Sequence, residues 1–165
     1  MTAIALRPFL LADAQRCLEI FQDSIEEIAS EDYDADQREA WRARASDPTG
    51  FASRLTDALT LVATLDRVVA GFASLKGAEV LDMLYVDPAF SRRGVGDALI
   101  DALVRLAQAR GALRVTSDVS DTARSLFERH GFIAQRRSLA SVDDQWLANT
   151  TMTKTLANSE PTTRH

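Results

Sequence analysis

Residues 80–111, VLDMLYVDPAFSRRGVGDALIDALVRLAQARG, constrain the fold more than any other stretch of the chain. They open on a nearly continuous apolar run, Val80 to Val86, in which Asp82 is the only charge. Such a run predicts a strand buried on both faces of a sheet. Pro88 ends it, because proline has no N–H to give to a ladder. Arg92-Arg93-Gly94-Val95-Gly96 follows, and then a helix. Val95, Ala98, Leu99, Ala102, Leu103, Leu106 and Ala107 recur at the spacing of one helical face, with Asp97, Asp101, Arg105 and Gln108 opposite. Gly111 stands where a left-handed residue closes such a helix.

Strand, glycine-rich turn and helix together make an anion site. The first turn of a helix has N–H groups without intrahelical partners, and the dipole is positive there. Glycines allow close approach, and the paired arginines add formal charge. A tight turn with solvated arginines is the plainer alternative. A P-loop would need GxxxxGK[ST], which the chain lacks. A dinucleotide fingerprint would need a third glycine at position 99, which is Leu99.

The segment LYVDPAFSRRGVGDALIDAL resembles the acetyl-CoA-binding motif of the GNAT superfamily of N-acetyltransferases, Gln/Arg-x-x-Gly-x-Gly/Ala after a strand ending in Val-x-Pro. Ser91, Arg92, Arg93, Gly94, Val95 and Gly96 occupy its positions, with serine in place of the first Gln or Arg. Residues 120–132, SDTARSLFERHGF, resemble the family's second signature, Asn-x-x-Ala-x-x-Leu-Tyr-x-x-x-Gly-Phe. The spacing is intact, with Ser120 for the Asn and Phe127 for the Tyr. The resemblance covers most of residues 3–155. It implies an α/β domain over residues 1–157, built on a central mixed sheet of about seven strands with helices on both faces. It also implies acetyl-CoA as cosubstrate. Leu84, Tyr85, Val86, the turn Ser91 to Asp97, Ser120, Ala123 and Phe127 would hold it. The pantetheine arm would lie in a gap between two splayed strands, with residues 83–86 on one side and 116–120 on the other.

Composition narrows the classes. At 165 residues and 46% hydrophobic content, the chain is one domain with a real core. A net charge of −5 suggests neither a nucleic-acid nor a membrane surface. No apolar run approaches the roughly 20 residues of a transmembrane helix, and the N-terminus lacks the pattern of a signal peptide, so a cytoplasmic protein is expected. One cysteine, Cys17, excludes an intrachain disulfide and falls on a helix face, where core packing is expected. Two histidines and that cysteine, all far apart, argue against a zinc site, and no metal is expected. A GxSxG elbow is absent.

In chain order, residues 3–7 predict a strand ended by Pro8. Asp13 caps or opens a helix that runs to about position 29, with Leu18, Phe21, Ile25 and Ile28 as its stripe. An acidic loop with Glu31, Asp32, Asp34 and Asp36 follows, then a helix over about 36–45. Asp47-Pro48-Thr49-Gly50 is a turn signal, and residues 51–56 a helical turn. Strands at 59–65 and 68–75 form a hairpin around Asp66-Arg67. After the long helix come a strand at 113–119, a helix at 121–130 and a last hairpin, 132–139 with 146–155, around Asp143-Asp144. The tail from residue 158 is polar and expected to be disordered.

Acetyl transfer to an amine needs a base for the amine, a donor for the carbonyl oxygen and an acid for the thiolate. Asp82 is the candidate base: a lone carboxylate in a buried strand has its charged form disfavoured by desolvation. A structural aspartate paired with an arginine is the alternative. The backbone N–H near Tyr85 or Val86 is the candidate oxyanion donor. The family's usual acid is a tyrosine at position 127, and Phe127 has no proton to give. Tyr85, Tyr33 and His130 remain, though His130, before Gly131 at a helix end, suits the dipole there. Tyr33 and Trp41, in the helical pair that the family sets beside the acceptor pocket, are candidate substrate contacts together with Asp82. Two functions stay open: an acetyltransferase for an amine of a small molecule or protein, as monomer or homodimer, and a CoA-binding sensor or accessory module with little or no turnover.

Overall fold

The computed structural model describes residues 3–156; the polar tail predicted from residue 158 lies outside them. Seven strands form one sheet in the order β1-β2-β3-β4-β5-β7-β6. They are β1 (Ile4–Pro8), β2 (Leu59–Leu65), β3 (Val68–Lys76), β4 (Val80–Val86), β5 (Arg114–Ser120), β6 (Ile133–Val142) and β7 (Gln145–Thr155). All neighbours are antiparallel except β4 and β5. Helices α1 (Ala14–Glu27), α2 (Ala35–Ala43) and α3 (Pro48–Asp57) precede β2, α4 (Val95–Ala109) links β4 to β5, and α5 (Arg124–Arg129) links β5 to β6. No helix among the described residues is long and apolar enough to cross a membrane.

The core lies in two layers. Leu99, Ile100, Leu103 and Ala107 of α4 pack with Leu75, Leu81, Val115, Phe127 and Met152. On the other face Cys17, Leu18, Phe21 and Ile25 of α1 meet Phe51, Leu55, Phe72 and Met83. Cys17 is wholly buried, and burial pushes its thiol up to about 12, so it packs and does not react. The side chain of Ile28, the fourth member of the predicted stripe, lies outside the described set.

Several predicted elements shift for local reasons. Asp47-Pro48-Thr49-Gly50 is no turn. Asp47 caps the N-terminus of α3 by accepting from the Thr49 N–H at 3.2 Å, and Pro48 takes the first helical position, where its missing N–H costs nothing. The helix then continues through residues 51–57 as ten residues. Asp34 of the acidic loop likewise caps α2, in a reciprocal pair with Gln37. Helix α5 begins later than predicted, because residues 121–123 turn on the Ser120 hydroxyl, which accepts from the Ala123 N–H. Both hairpin turns stand as read: Asp66 and Arg67, and Asp143 and Asp144, all have positive φ, the two-residue geometry that matches strand twist.

Asp13 does not sit inside α1. It lies in a 3₁₀ turn, Leu11–Asp13, where its carboxylate accepts from both terminal nitrogens of Arg7 at 2.9 Å and from the Leu10 N–H at 2.8 Å. The hydrogen bond from Arg7 holds this buried carboxyl below its usual range. Its stabilisation is therefore complete above the unfolded value, near 3.9, and is lost as pH falls through the lower native value. Asp13→Asn is expected to destabilise the fold by about 1–3 kcal/mol at neutral pH. In urea titrations the gap to the parent should narrow as pH falls below the unfolded value, about 3.9; a constant gap at all pH would remove the ion pair as its cause.

Two close contacts fix α4 on the sheet. At Gly71 in β3, a Cβ would come within 2.8 Å of Val95 Cγ1 and 2.9 Å of the Tyr85 carbonyl oxygen. At Gly96 it would meet Leu126 Cδ2 at 3.0 Å. At Gly71 one obstacle is backbone, so glycine is required by space; at Gly96 it is the end of the Leu126 side chain of α5, which would have to give by a few tenths of an ångström. Gly111, by contrast, has φ +89 and closes α4 as predicted, with the Ala112 N–H returning to the Ala107 carbonyl.

Candidate active site

Strands β4 and β5 hold together only at their start. The ladder has one bridge, Val80 with Thr116; the Thr116 N–H donates to the Glu79 carbonyl at 2.8 Å and the Ser117 hydroxyl to the Leu81 carbonyl at 2.7 Å. Beyond that the strands diverge, and a cavity of about 280 Å³ opens between them. The predicted splay is present. The expectation that β4 is buried on both faces is not met: Asp82 and Leu84 to Val86 are only half-buried, because they border this gap.

The sequence did not reveal why Asp82 points where it does. Ser74 pairs with Met83 and Leu75 with Leu81, so Asp82 is an extra residue, a β-bulge. The bulge switches the phase of the strand. Leu81 packs under α4, while Met83 and Tyr85 face α1 and α3. Asp82 is therefore re-aimed into the cavity. Nor is it the lone carboxylate expected: Arg54 of α3 donates to both its oxygens, at 3.0 and 3.2 Å. The paired-aspartate alternative describes its resting state.

Backbone direction in β4 is set by β3. The Asp87 N–H donates to the Ala70 carbonyl, and Tyr85 stands opposite Phe72. Alternation then turns the Tyr85 amide to β3 and those of Leu84 and Val86 to the gap. Of the two amides expected as oxyanion donors, Tyr85 is thus committed to the ladder, and Val86 faces the cavity.

The Tyr85 side chain reaches the acceptor side. Its hydroxyl accepts from Trp41 Nε1 at 3.3 Å, and its ring meets Phe21 edge-on at 4.8 Å. Burial raises its pKa, so the phenol keeps its proton at neutral pH. Tyr33 also lines the cavity, but its hydroxyl is occupied: it donates to the Ala148 carbonyl at 2.7 Å and accepts from the Asp121 N–H at 2.9 Å. Burial pushes this phenol up to about 12. Phe127 is 2% exposed, stacks edge-on against Phe132 at 5.0 Å and presents its ring to the cavity beside Ser120 and Ala123. His130 bonds Asp97 at 2.8 Å across the ends of α5 and α4 and takes no part in the cavity.

The turn at 91–97 forms a second, adjoining feature. Ser91, Arg92 and Arg93 are exposed. Arg92 has φ +62 and Gly94 φ +86. Gly94 caps α4, whose first intrahelical bond runs from the Ala98 N–H to the Gly94 carbonyl. The amides of Val95, Gly96 and Asp97 are thus left without helical partners. The Val95 side chain is core and the Asp97 carboxylate is bound by Arg129 and His130, so these two residues offer backbone only. Val86 connects the two features, 3.7 Å from the Cβ position of Gly96. Open space over Gly94, exposed arginines and free amides fit a pyrophosphate; the neighbouring gap fits a pantetheine arm.

The geometry thus brings Tyr33, Trp41, Asp82, Leu84, Tyr85, Ser120, Ala123 and Phe127 to one cavity. Sequence reading missed Phe21, Arg44, Arg54 and Leu147, which the fold adds to the same walls. Nothing local marks them. Among the described residues no group of three or more His, Cys, Asp or Glu could hold a metal ion.

Comparison with known proteins agrees with this architecture. The family described as "Acetyltransferase (GNAT) domain" matches residues 29–156. The uncharacterized N-acetyltransferase YafP of Escherichia coli (strain K12) is 30% identical over 149 residues, 90% of this chain and 94% of that protein. A GCN5-related N-acetyltransferase from Rhodopseudomonas palustris, also titled "Aminotransferase, Class-II", superposes with TM-score 0.91 at 51% identity, covering 94% of this chain and 98% of its own. PaiA N-acetyltransferase from Thermoplasma acidophilum, solved with coenzyme A, shares the fold at TM-score 0.77 and 19% identity, over 93% and 99% of the two chains. With the family's strand–turn–helix, its splayed strands and these relatives in hand, the chain belongs to the GNAT superfamily of acetyltransferases.

Proposed function

We propose that the protein moves the acetyl group of acetyl-CoA to a primary amine seated in the cavity between β4 and β5. The observation that carries this reading is a juxtaposition: free amides at the start of α4, Val86 beside Gly96, and next to Val86 along β4 a pocket holding a carboxylate and a phenol. Acetyl-CoA supplies, when bound, an activated acetyl group whose C–S bond breaks as the C–N bond forms, giving an amide, a free thiol and one proton released to solvent. The amides of Val95, Gly96 and Asp97, with Arg92 and Arg93, would hold its pyrophosphate. The Val86 N–H would face the carbonyl oxygen as charge develops there. Asp82, directly or through water, would take the proton of the amine, while Arg54 swings aside or shares it. Tyr85 is the proton source best placed for the sulfur, since it stays protonated and lines the pocket.

One observation favours the second reading, a CoA-binding module without turnover: Phe127 has no hydroxyl where the family's tyrosine would stand. A thiolate, with a thiol pKa near 8.5, still leaves tolerably without an acid. Acid help is typically worth about 10²–10⁴-fold. The test is thiol release from acetyl-CoA with a panel of amines. Wild type is expected to turn over slowly, and Phe127→Tyr to retain or raise the rate. Silence from both proteins, with CoA bound tightly, would leave the module reading.

A further inference from the structure

The acceptor end of the cavity carries one guanidinium that no carboxylate among the described residues pairs with. Arg44, Arg54, Asp82 and Asp118 line it. Arg54 is spent on Asp82, and Asp118 accepts from the Thr151 hydroxyl at 2.7 Å. Arg44, at the end of α2, pairs with no carboxylate among the described residues. Arg44, Arg54, Asp82 and Tyr85 all line this one cavity. A simple amine brought there would add a positive charge beside a free guanidinium. An amine carrying its own carboxylate would complete the pairing: carboxylate to Arg44, nitrogen towards Asp82.

Size points the same way. An extended peptide crossing the site would need an open trough. Here the segment leading into α2 is tied to β7: the Tyr33 hydroxyl donates to the Ala148 carbonyl at 2.7 Å, and Gln37 Nε2 to the Trp146 carbonyl at 2.8 Å. These bonds bridge one wall of the pocket. The walls that remain for a side chain are rings: Phe21, Trp41 and Tyr85.

Resting on the acetyl-transfer reading, we infer that the acceptor is a free α-amino acid with an apolar side chain, held by its carboxylate on Arg44. Its ammonium loses a proton towards Asp82. The nitrogen then bonds the acetyl carbon as the sulfur leaves, and the N-acetyl product keeps the carboxylate that Arg44 holds.

The experiment measures thiol release for phenylalanine, leucine, methionine and tryptophan, each beside its own α-amide and a tripeptide beginning with that residue. Without the neighbouring carboxylate the amide's nitrogen deprotonates more readily, so intrinsic reactivity favours the amide. The inference predicts the reverse: at least one free amino acid is preferred by about 10- to 100-fold in kcat/KM, the effect of one charge-assisted hydrogen bond. Arg44→Gln should collapse that ratio towards unity, mainly through KM, and Arg44→Lys should restore part of it. Equal or better use of the amides or tripeptides, or an Arg44→Gln ratio like that of wild type, overturns the inference. Calorimetry of the same compounds with the CoA-loaded protein separates the two readings. Selective binding of an amino acid without thiol release would sink acetyl transfer and keep the Arg44 site; thiol release from other amines without amino-acid binding would do the opposite.

Discussion

Gly94→Asp is expected to leave a folded protein that no longer binds CoA measurably. Gly94 has φ +86, a region where an ordinary residue costs about 1–2 kcal/mol but where aspartate is among the better tolerated. Nothing but Ile4 Cδ1, at 3.6 Å, stands near its Cβ position, so the fold has room. Binding does not. The new carboxylate lies beside the unpartnered amides of Val95 to Asp97 and both repels a phosphate and competes for its donors. Losing two charge-assisted hydrogen bonds, at about 1.5–3 kcal/mol each, weakens affinity by roughly 10²–10⁴-fold. Calorimetry with CoA, alongside thermal unfolding, reads both halves. Unchanged affinity in a folded variant would show that the phosphates lie elsewhere.

Asp82→Asn carries the second large effect. Its ion pair with Arg54 is half open to solvent on the arginine side, and such pairs are worth about 0–1 kcal/mol, so stability should barely change. Turnover is expected to fall by about 10²-fold or more while CoA affinity holds. The deficit should shrink at high pH, where the acceptor amine loses its proton unaided. A pH–rate profile whose acidic limb is the same in variant and wild type would take Asp82 out of the chemistry.

The parts of the fold written in short-range pattern were legible. Apolar spacing marked α4, two-residue turns marked both hairpins, and glycines marked the turn that opens α4. Capping was misread at Asp47, because Asp-Pro opens a helix as readily as a turn, and the choice falls to the residues after Gly50. The pocket was legible on the strands, and on the helices at Trp41 and Phe127, which the family resemblance supplied. Asp82 could be picked out as an odd charge in an apolar run. Its bulge could not, since register depends on both strands. Arg54, 28 positions away along the chain, is brought to it only by the packing of α3 on the sheet. Arg44 reads from sequence as one more exposed arginine, and exposed it is; only the fold sets it in the cavity lining.

Gly71 lies outside the cavity lining, yet it sets how α4 and β4 stand to each other. Helix α4 lies on β3 with Val95 where a methyl group of residue 71 would be, and the same spot lies against the Tyr85 carbonyl. The starting end of the helix and the middle of β4 are thus gauged against each other across one missing carbon. A larger residue would act as a shim. It would lift the amide-bearing end of α4 away from the strand that flanks the gap, and the turn at 91–97 would shift against the Val86 amide with every pocket residue intact.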